Sequence, residues 1–166
     1  MTAFHDLVSS VDPPMYVVTA RAEDGEPVGC LVGFATQCSI EPPRFLVCIS
    51  KANHTYRPAM AASHLVVHVL RAGDGAIAER FGGTTADDLA GGGREKFEGL
   101  GTSDGPGGAP VIDDLDHFAG RVVERVDCGD HVAVVLDPSG GSAEHAAEPQ
   151  YGLRAASEIE PGHPDD

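Results

Sequence analysis

Short runs of β-branched and apolar residues, separated by turn signals, predict a mainly β fold. Residues 15–21 read M-Y-V-V-T-A-R, and the Asp24-Gly25 pair that follows is typical of a β-hairpin turn. The second arm of this hairpin, residues 28–36, is apolar but contains Gly29 and Gly33. Because glycine inside a strand often marks a bulge or a close approach to the backbone, this strand is a candidate contact for a ligand.

Further strands and two short helices follow the hairpin. Pro42 and Pro43 interrupt the sheet, since proline cannot donate to a strand ladder. Strands are then predicted at 44–49, 64–70, 118–126 and 131–136. Helices are predicted at 58–63, where Pro58 stands in the first turn, and at 74–81, which has apolar residues at helical spacing.

Two segments are poor in apolar residues. Residues 82–110 are rich in glycine and predict a long connection with one weak helix at 85–89, and residues 138–149 are small and polar and predict a mobile segment. We expect a lead-in at 1–14, one domain at 15–157 and an acidic tail at 158–166. Six or so strands with two small helices favour a closed barrel, because closure removes sheet edges.

Charge and composition argue against several classes of protein. The chain has 26 acidic and 11 basic residues, a formal charge of -15, which repels nucleic acids and anionic membranes. Apolar runs are shorter than the roughly 20 residues of a membrane span, and the start of the chain lacks the pattern of a signal peptide, so we expect a cytoplasmic protein. The four cysteines form no C-x-x-C pair and predict buried reduced thiols, and no metal site is expected.

Six short motifs occur in one order along the chain. They are V-V-T-A at 17–20, D-G at 24–25, G-C-L-V-G-F-A-T-Q-C-S-I-E-P-P at 29–43, K-A-N-H-T at 51–55, R-F-G-G at 80–83 and G-D-H at 129–131. This ordered set resembles the flavin reductase-like, FMN-binding split-barrel family over residues 15–136. The resemblance implies an α+β, mainly β split barrel of about six or more strands with a few short helices. It also implies an oxidoreductase that binds FMN, with FAD as a second option, in a groove near the interface of a homodimer.

The resemblance assigns a flavin-contacting strand to Leu31, Val32, Gly33 and Phe34. The family usually has Thr where Leu31 stands and small polar residues at Gly33 and Phe34, so side-chain hydrogen bonds to the flavin are lost here. Recognition then depends on backbone amides, with Gly33 letting the ring approach and Phe34 packing on the ring or shaping a neighbouring pocket. The alternative is a plain core strand with a bulge at Gly33.

A polar loop at residues 50–57 matches the family segment that holds the ribityl chain and phosphate. Its candidate ligands are hydroxyls, an amide and cationic side chains, which suit a dianion: Ser50, Lys51, Asn53, His54, Thr55 and Arg57. The alternative is an ordinary solvated loop.

His131 is the candidate catalytic residue. It follows the Gly129-Asp130 corner, and the resemblance puts the histidine of G-D-H near the nicotinamide or substrate side of the flavin. There it would orient the hydride donor or stabilise the charge of the reduced flavin. The alternative is a structural histidine that satisfies a carbonyl of the turn.

The leading hypothesis is a reductase that passes hydride from NADH or NADPH to N5 of FMN, with a monooxygenase as a partner that receives the reduced flavin. Two alternatives remain open. One is an oxidoreductase that uses FMN or a deazaflavin to act directly on an organic substrate. The other is a non-enzymatic FMN-binding electron-transfer protein.

Overall fold

Residues 2–83 and 92–160, which the computed structural model describes, form nine strands, four short α-helices and two 3-10 helices. In chain order the elements are α1 (Thr2–Ser9), β1 (Tyr16–Arg21), β2 (Pro27–Val32), β3 (Ala35–Ser39), β4 (Arg44–Ser50), α2 (Tyr56–Ala61), β5 (His64–Val69), α3 (Gly75–Gly82), a 3-10 helix (Gly92–Phe97), β6 (Thr102–Asp104), a 3-10 helix (Pro106–Gly108), β7 (Pro110–Ile112), β8 (Asp116–Asp127), β9 (His131–Ser142) and α4 (Leu153–Ala156). Strands therefore dominate, as the sequence pattern predicts.

Seven strands make one antiparallel sheet in the order β2-β1-β5-β8-β9-β4-β3, and β6 pairs with β7 in a second sheet of two strands. The sheet curls, because side chains from β1, β2, β4, β5 and β9 all enter one core. The Cys48 amide of β4 donates a 2.8 Å hydrogen bond to the carbonyl of Phe34, which extends the pairing of β3 with β4 to the corner after β2. This architecture confirms the predicted split β-barrel.

Alternation along the strands gives the barrel two apolar layers. In β1 the buried side chains of Tyr16 and Val18 join the barrel interior, whereas Val17 joins a second cluster. The second cluster packs α3, the first 3-10 helix and α4 against the outside of β1 and β2. Its largest fully buried side chain is Phe81. The barrel is thus stabilised by an apolar core inside it and by a second apolar cluster on the outside of β1 and β2.

The predicted strand at 28–36 is two strands rather than one. β2 ends at Val32, the chain bends at Gly33 and Phe34, and β3 begins at Ala35. The second glycine thus marks a corner and not a bulge. A period-two pattern cannot distinguish these cases, because both keep the flanking residues extended.

Other boundaries also differ from the sequence-based expectations. The helix predicted at 58–63 is α2 at Tyr56–Ala61, and the segment predicted to be mobile at 138–149 includes the last part of β9, to Ser142. Of the glycine-rich connection, residues 84–91 and with them the predicted helix at 85–89 lie outside the described residues, but the rest carries β6 and β7. The boundaries of these elements depend on pairing between strands that are distant in the sequence, and local propensity does not predict such pairing.

The prediction of buried thiols is wrong for most of the cysteines. Cys30 is buried, Cys48 is half-buried, and Cys38 and Cys128 are exposed. All four are free. In the part of the chain that the structure describes, no helix is long and apolar enough to cross a membrane.

His68 on β5 is a fully buried histidine with both ring nitrogens engaged. Nδ1 lies 3.1 Å from the Val17 carbonyl, and Nε2 accepts a 2.9 Å hydrogen bond from the Ile112 amide. These partners require the neutral tautomer with its proton on Nδ1. Burial lowers the pKa of His68 from 6.5 to about 4, with neighbouring His117 acting in the same direction.

We therefore expect His68 to make folding pH-dependent. The unfolded chain takes up the proton at a pKa of 6.5 but the folded chain resists protonation down to about 4, so the free energy of unfolding falls as the pH drops through this window. The loss due to His68 reaches about 3 kcal/mol below pH 4, and about 2 kcal/mol of it falls between pH 7 and pH 5. Denaturant unfolding at pH 7 and pH 5, compared between wild type and His68→Gln, measures it, and equal pH slopes in the two proteins would contradict the assignment.

Candidate functional site

The C-terminal end of β4 and the start of β9 bring the predicted site residues Ser50 and His131 together. These two residues are direct antiparallel partners, so their side chains project from the same face of the sheet. The alternate residues Ile49 and Val132 are buried in the barrel interior. Ser50 and His131 must therefore lie on the outer face.

Phe34 completes this outer-face site. Its ring centroid lies 5.1 Å from that of His131, with the ring planes inclined by 53°, and the residue is 59% exposed. The corner after β2 creates this position, because the side chain no longer follows the inward alternation of the strand. A large exposed aromatic ring beside a histidine is a contact surface suited to a flat, partly apolar ligand.

Asp130 fixes the orientation of the His131 ring. The Asp130 carboxylate lies 2.7 Å from Nδ1 of His131, and since an ionised carboxylate can only accept, Nδ1 carries the proton. This hydrogen bond lowers the pKa of Asp130. No other described residue hydrogen-bonds the His131 ring, so Nε2 is the nitrogen left for a ligand.

Lys51 is held by an acidic partner that the sequence pattern does not indicate. Its ammonium lies 2.6 Å from a carboxylate oxygen of Asp127, and its backbone amide donates to the Asp130 carbonyl. The hydrogen bond raises the pKa of Lys51 and lowers that of Asp127. Both side chains are substantially exposed, so the pair contributes little to stability. It does offset the positive charge that the loop was expected to offer a phosphate.

The remainder of the polar loop is ordered by its own hydrogen bonds. The Asn53 side-chain oxygen accepts from the Thr55 amide at 2.9 Å, and the Ser50 hydroxyl accepts from the Ala52 amide at 3.2 Å. Thr55 is only 2% exposed, whereas His54 and Arg57 are exposed. The six predicted loop residues thus face different directions, and their contact with a ligand stays a prediction.

The strand predicted to face the flavin is used mainly for packing. Leu31 packs in the second apolar cluster, and Val32 is buried in the barrel interior. A side chain at Gly33 would meet Met15 Sδ at 3.1 Å and Leu153 at 3.8 Å. The expectation of an open gap on that side of Gly33 is therefore wrong, because the protein fills it; contact through the backbone of Leu31, Val32 and Gly33 stays a prediction.

Cys48 lies on the same outer face, opposite Ala133 in the strand pairing. Burial raises its pKa, and the nearby Cys128 raises it further. Cys48 is therefore a neutral thiol at physiological pH. Because the thiolate is the nucleophilic form, a covalent role for this cysteine is disfavoured.

Lys96 is a charged residue near the predicted loop that sequence reasoning missed. It lies in the first 3-10 helix, is 6% exposed, and approaches the carbonyls of Gly29 and Phe81 at 3.5 Å each. A cavity beside it is lined by His54 and Thr55 of the loop. Lys96 follows the loop by some 40 positions in a glycine-rich stretch, so no spacing motif indicates it.

The fold defines a class, the split β-barrels, in which one antiparallel sheet curls around an apolar core. Comparison with known proteins makes the assignment specific: the family model "Flavin reductase like domain" matches residues 8–155, and the chain belongs to that family.

Two relatives and one solved structure illustrate the match. The chain is 30% identical over 135 residues to "Flavin reductase (NADH)" of Kitasatospora aureofaciens, covering 80% of this chain and 66% of that protein. It is 32% identical over 139 residues to "FMN reductase (NADH) RutF 2" of Rhizobium rhizogenes, covering 81% and 74%. The fold matches the crystal structure of nitrilotriacetate monooxygenase component B from Mycobacterium thermoresistibile with a TM-score of 0.74 at 22% identity, covering 99% and 92%.

Several relatives are longer than this chain. It spans 66% of the length of the Kitasatospora protein and 55% and 40% of two proteins from Rhizobium meliloti.

Proposed function

We propose that this protein is a flavin reductase that uses NADH or NADPH to reduce FMN or FAD. The observation that carries the proposal is the outer-face site, where exposed Phe34, oriented His131 and Ser50 meet in a chain of the flavin reductase family. The names of the relatives support the nicotinamide and flavin chemistry.

The donor set of the site fits a flavin. An isoalloxazine has an apolar edge and a polar edge with hydrogen-bond acceptors, so it needs both an apolar surface and donors. Phe34 provides the apolar surface, and the Ser50 hydroxyl and the backbone around the corner provide donors. When bound, the flavin supplies the redox chemistry, by taking a hydride from the nicotinamide and passing electrons on.

The protein residues position the reactants. Phe34 limits how the ligand stacks, and the Asp130 carboxylate keeps the His131 proton on Nδ1. His131 then accepts or donates a hydrogen bond at Nε2, on the side where the reactants meet. Such positioning, with one oriented proton carrier, is the kind of catalysis that a hydride transfer requires from a protein.

The assembly that we propose is a homodimer in the cytoplasm. α1 has no buried residue, and the side chains of Phe4, Leu7 and Val8 on it are exposed. Exposed apolar faces of this kind are commonly covered by a partner, and a second copy of the chain is the occupant that the family resemblance suggests. A monooxygenase that takes the reduced flavin is the proposed protein partner, by analogy with the component B protein of Mycobacterium thermoresistibile.

A mixing experiment tests the activity. Pure protein with NADH or NADPH and a catalytic or an excess amount of FMN should bleach the flavin absorbance under anaerobic conditions, at a rate proportional to protein concentration. Excess flavin that is fully reduced indicates a flavin substrate, and reduction of one equivalent indicates a bound prosthetic group. No bleaching with either nicotinamide, with FMN and FAD both tried, would refute the reductase proposal.

A further inference from the structure

A second pocket lies at the end of β9 that is opposite the outer-face site. The 12 residues of β9 span roughly 35 Å at about 3.3 Å per residue, from His131 at its start to Ser142 at its end. The pocket is a cavity of about 480 Å³ beside the last residues of β9, the start of β8 and the segment that follows β9. Cavities of roughly 300–1,000 Å³ hold whole small molecules. Since hydride transfer needs the reacting atoms in near contact, this cavity is separate from the proposed flavin site.

A bulge in the pairing of β8 with β9 shapes this pocket. The register shifts between Phe118 and Ala119, so Gly140 of β9 is passed over in the pairing. Gly140 has a positive φ of 34°, and a Cβ at Gly141 would overlap the carbonyl of His117. Both positions therefore favour glycine. Bulges of this kind commonly reshape a sheet beside binding sites.

The apolar wall of the pocket continues into the core of the barrel. Val69 and Phe118 line the pocket and also pack against the residues of the barrel interior. The Phe118 ring lies edge-to-face on Phe45 with centroids 5.0 Å apart, which fixes its position. Pro138 of β9 and Ala146 of the following segment add apolar surface. The mouth of a β-barrel is a common place for a small-molecule site, and an aromatic wall favours a flat ring.

The segment after β9 is held against the barrel by hydrogen bonds on both sides of Ala146. The Asp116 carboxylate accepts from the His145 amide at 2.9 Å, and its other oxygen lies 3.2 Å from Nδ1 of the same histidine. Farther along the chain, the Ala72 amide donates to the Pro149 carbonyl at 2.8 Å. The part of the wall that this segment contributes is therefore ordered without a ligand.

The charge of the pocket disfavours anionic ligands. Asp116 is an acid on its wall; burial alone would raise the pKa of Asp116, but the hydrogen bonds from His145 outweigh burial and lower it, so the carboxylate is ionised. No lysine or arginine is among the described residues that line the pocket. In a chain of formal charge -15, a phosphate or a carboxylate is repelled at such a site. Since Asp116 already has His145 as its partner, it does not require a cation either.

We propose that this barrel-mouth pocket binds an uncharged aromatic compound of one or two rings. The apolar and aromatic walls supply most of the contact, and the hydroxyls of Ser139 and Ser142 and the amide of Gln150 can hydrogen-bond a polar substituent. The proposal goes beyond the reductase function, because the compound binds at the other end of β9 from His131. It does not depend on that function, since binding is measured without turnover.

Two probes with the same ring system test the charge of the site. At pH 7, 2-naphthol is uncharged and 2-naphthoate is an anion. Calorimetric titration of the flavin-free whole chain should give one 2-naphthol per chain with a Kd of about 0.1–1 mM. Binding of 2-naphthoate should be weaker by about tenfold or more. Asp116→Asn should narrow this difference, because it removes the charge and keeps the shape of the side chain.

Two variants test the place of binding. Ala146→Phe puts a ring on the pocket wall and should weaken 2-naphthol binding by about tenfold or more. Ala147→Phe is the matched control from the same segment, since Ala147 lies outside the pocket wall, and it should leave the affinity unchanged. Both variants should keep the wild-type turnover with NADH and FMN. In NMR spectra of the wild-type protein, 2-naphthol should shift the amide signals of residues 139–146.

Several results would overturn the proposal. These are no saturable binding of 2-naphthol, whatever else covers the pocket, equal binding of the two probes by wild type, displacement of 2-naphthol by FMN, and the same affinity in Ala146→Phe as in Ala147→Phe. If Ala146→Phe does not fold, the amide shifts of wild type decide, and shifts centred on Phe34 and His131 would overturn the pocket as the site. Failure of the reductase proposal is separate, because it appears as no turnover with either nicotinamide, whereas these titrations contain none.

Discussion

Replacement of His131 by alanine is expected to lower turnover with NADH or NADPH by about 10- to 1,000-fold, the range for loss of a proton-transferring or orienting group. Flavin affinity should change little, because Phe34 and the backbone carry most of the proposed flavin contact. The physical reason is that Nε2 of His131 has no hydrogen bond to any residue that the structure describes, and Asp130 sets the orientation of the ring. Steady-state kinetics and flavin titration on the same samples measure the two quantities.

Two variants sharpen this test. Asp130→Asn keeps the size of the side chain but removes the charge that holds the Nδ1 proton, so it should lose turnover less than His131→Ala. His64→Ala is the matched control, since His64 lies on β5 and its ring contacts Ser63 rather than the outer-face site. Full turnover by His131→Ala would show that His131 has no catalytic role, and equal loss of flavin affinity and turnover would make His131 a binding residue.

The sequence predicted the parts of the fold that depend on local sequence pattern. Residues 44–49 and 64–70 are short apolar, β-branched runs, and they form β4 and β5, the second of which is buried at four consecutive residues. The Asp24-Gly25 turn needs only a glycine with positive φ, which Gly25 has at 86°. His131 and Ser50 were candidates from the family resemblance. Their pairing across β4 and β9 is a property of register, which only the assembled sheet shows.

Other features were inaccessible to a reading of the chain because they depend on distant partners. The filling of space beside Gly33 comes from Met15 and Leu153, which lie 18 positions before it and 120 after it. The neutralisation of Lys51 needs Asp127, on another strand of the sheet. Lys96 lies near the polar loop because the first 3-10 helix packs on β2. In each case the sequence gives the residue type, but the neighbouring side chains are known only from the folded structure.

Replacement of Phe81 by alanine is expected to lower the free energy of unfolding by about 3–5 kcal/mol, the range for loss of a buried aromatic ring. Phe81 is 1% exposed, and its ring packs edge-to-face on Phe97 with centroids 5.2 Å apart. It also lies against Gly29, where an added Cβ would come within 2.9 Å of the ring. Truncation therefore leaves a cavity between α3, the 3-10 helix and β2. Urea unfolding of the flavin-free protein measures the loss.

Phe34→Ala is the matched control, because it removes the same ring from an exposed position. Phe34 is 59% exposed, so its loss should change the free energy of unfolding by less than about 1 kcal/mol. The same change should weaken flavin binding, because it removes the apolar surface of the outer-face site. Phe81→Ala should show the reverse order, with a large stability loss and, at temperatures where it stays folded, a smaller loss of flavin affinity. A similar stability loss in both variants would mean that Phe34 is buried in the native assembly, and the outer-face site would then be covered by protein rather than open to flavin.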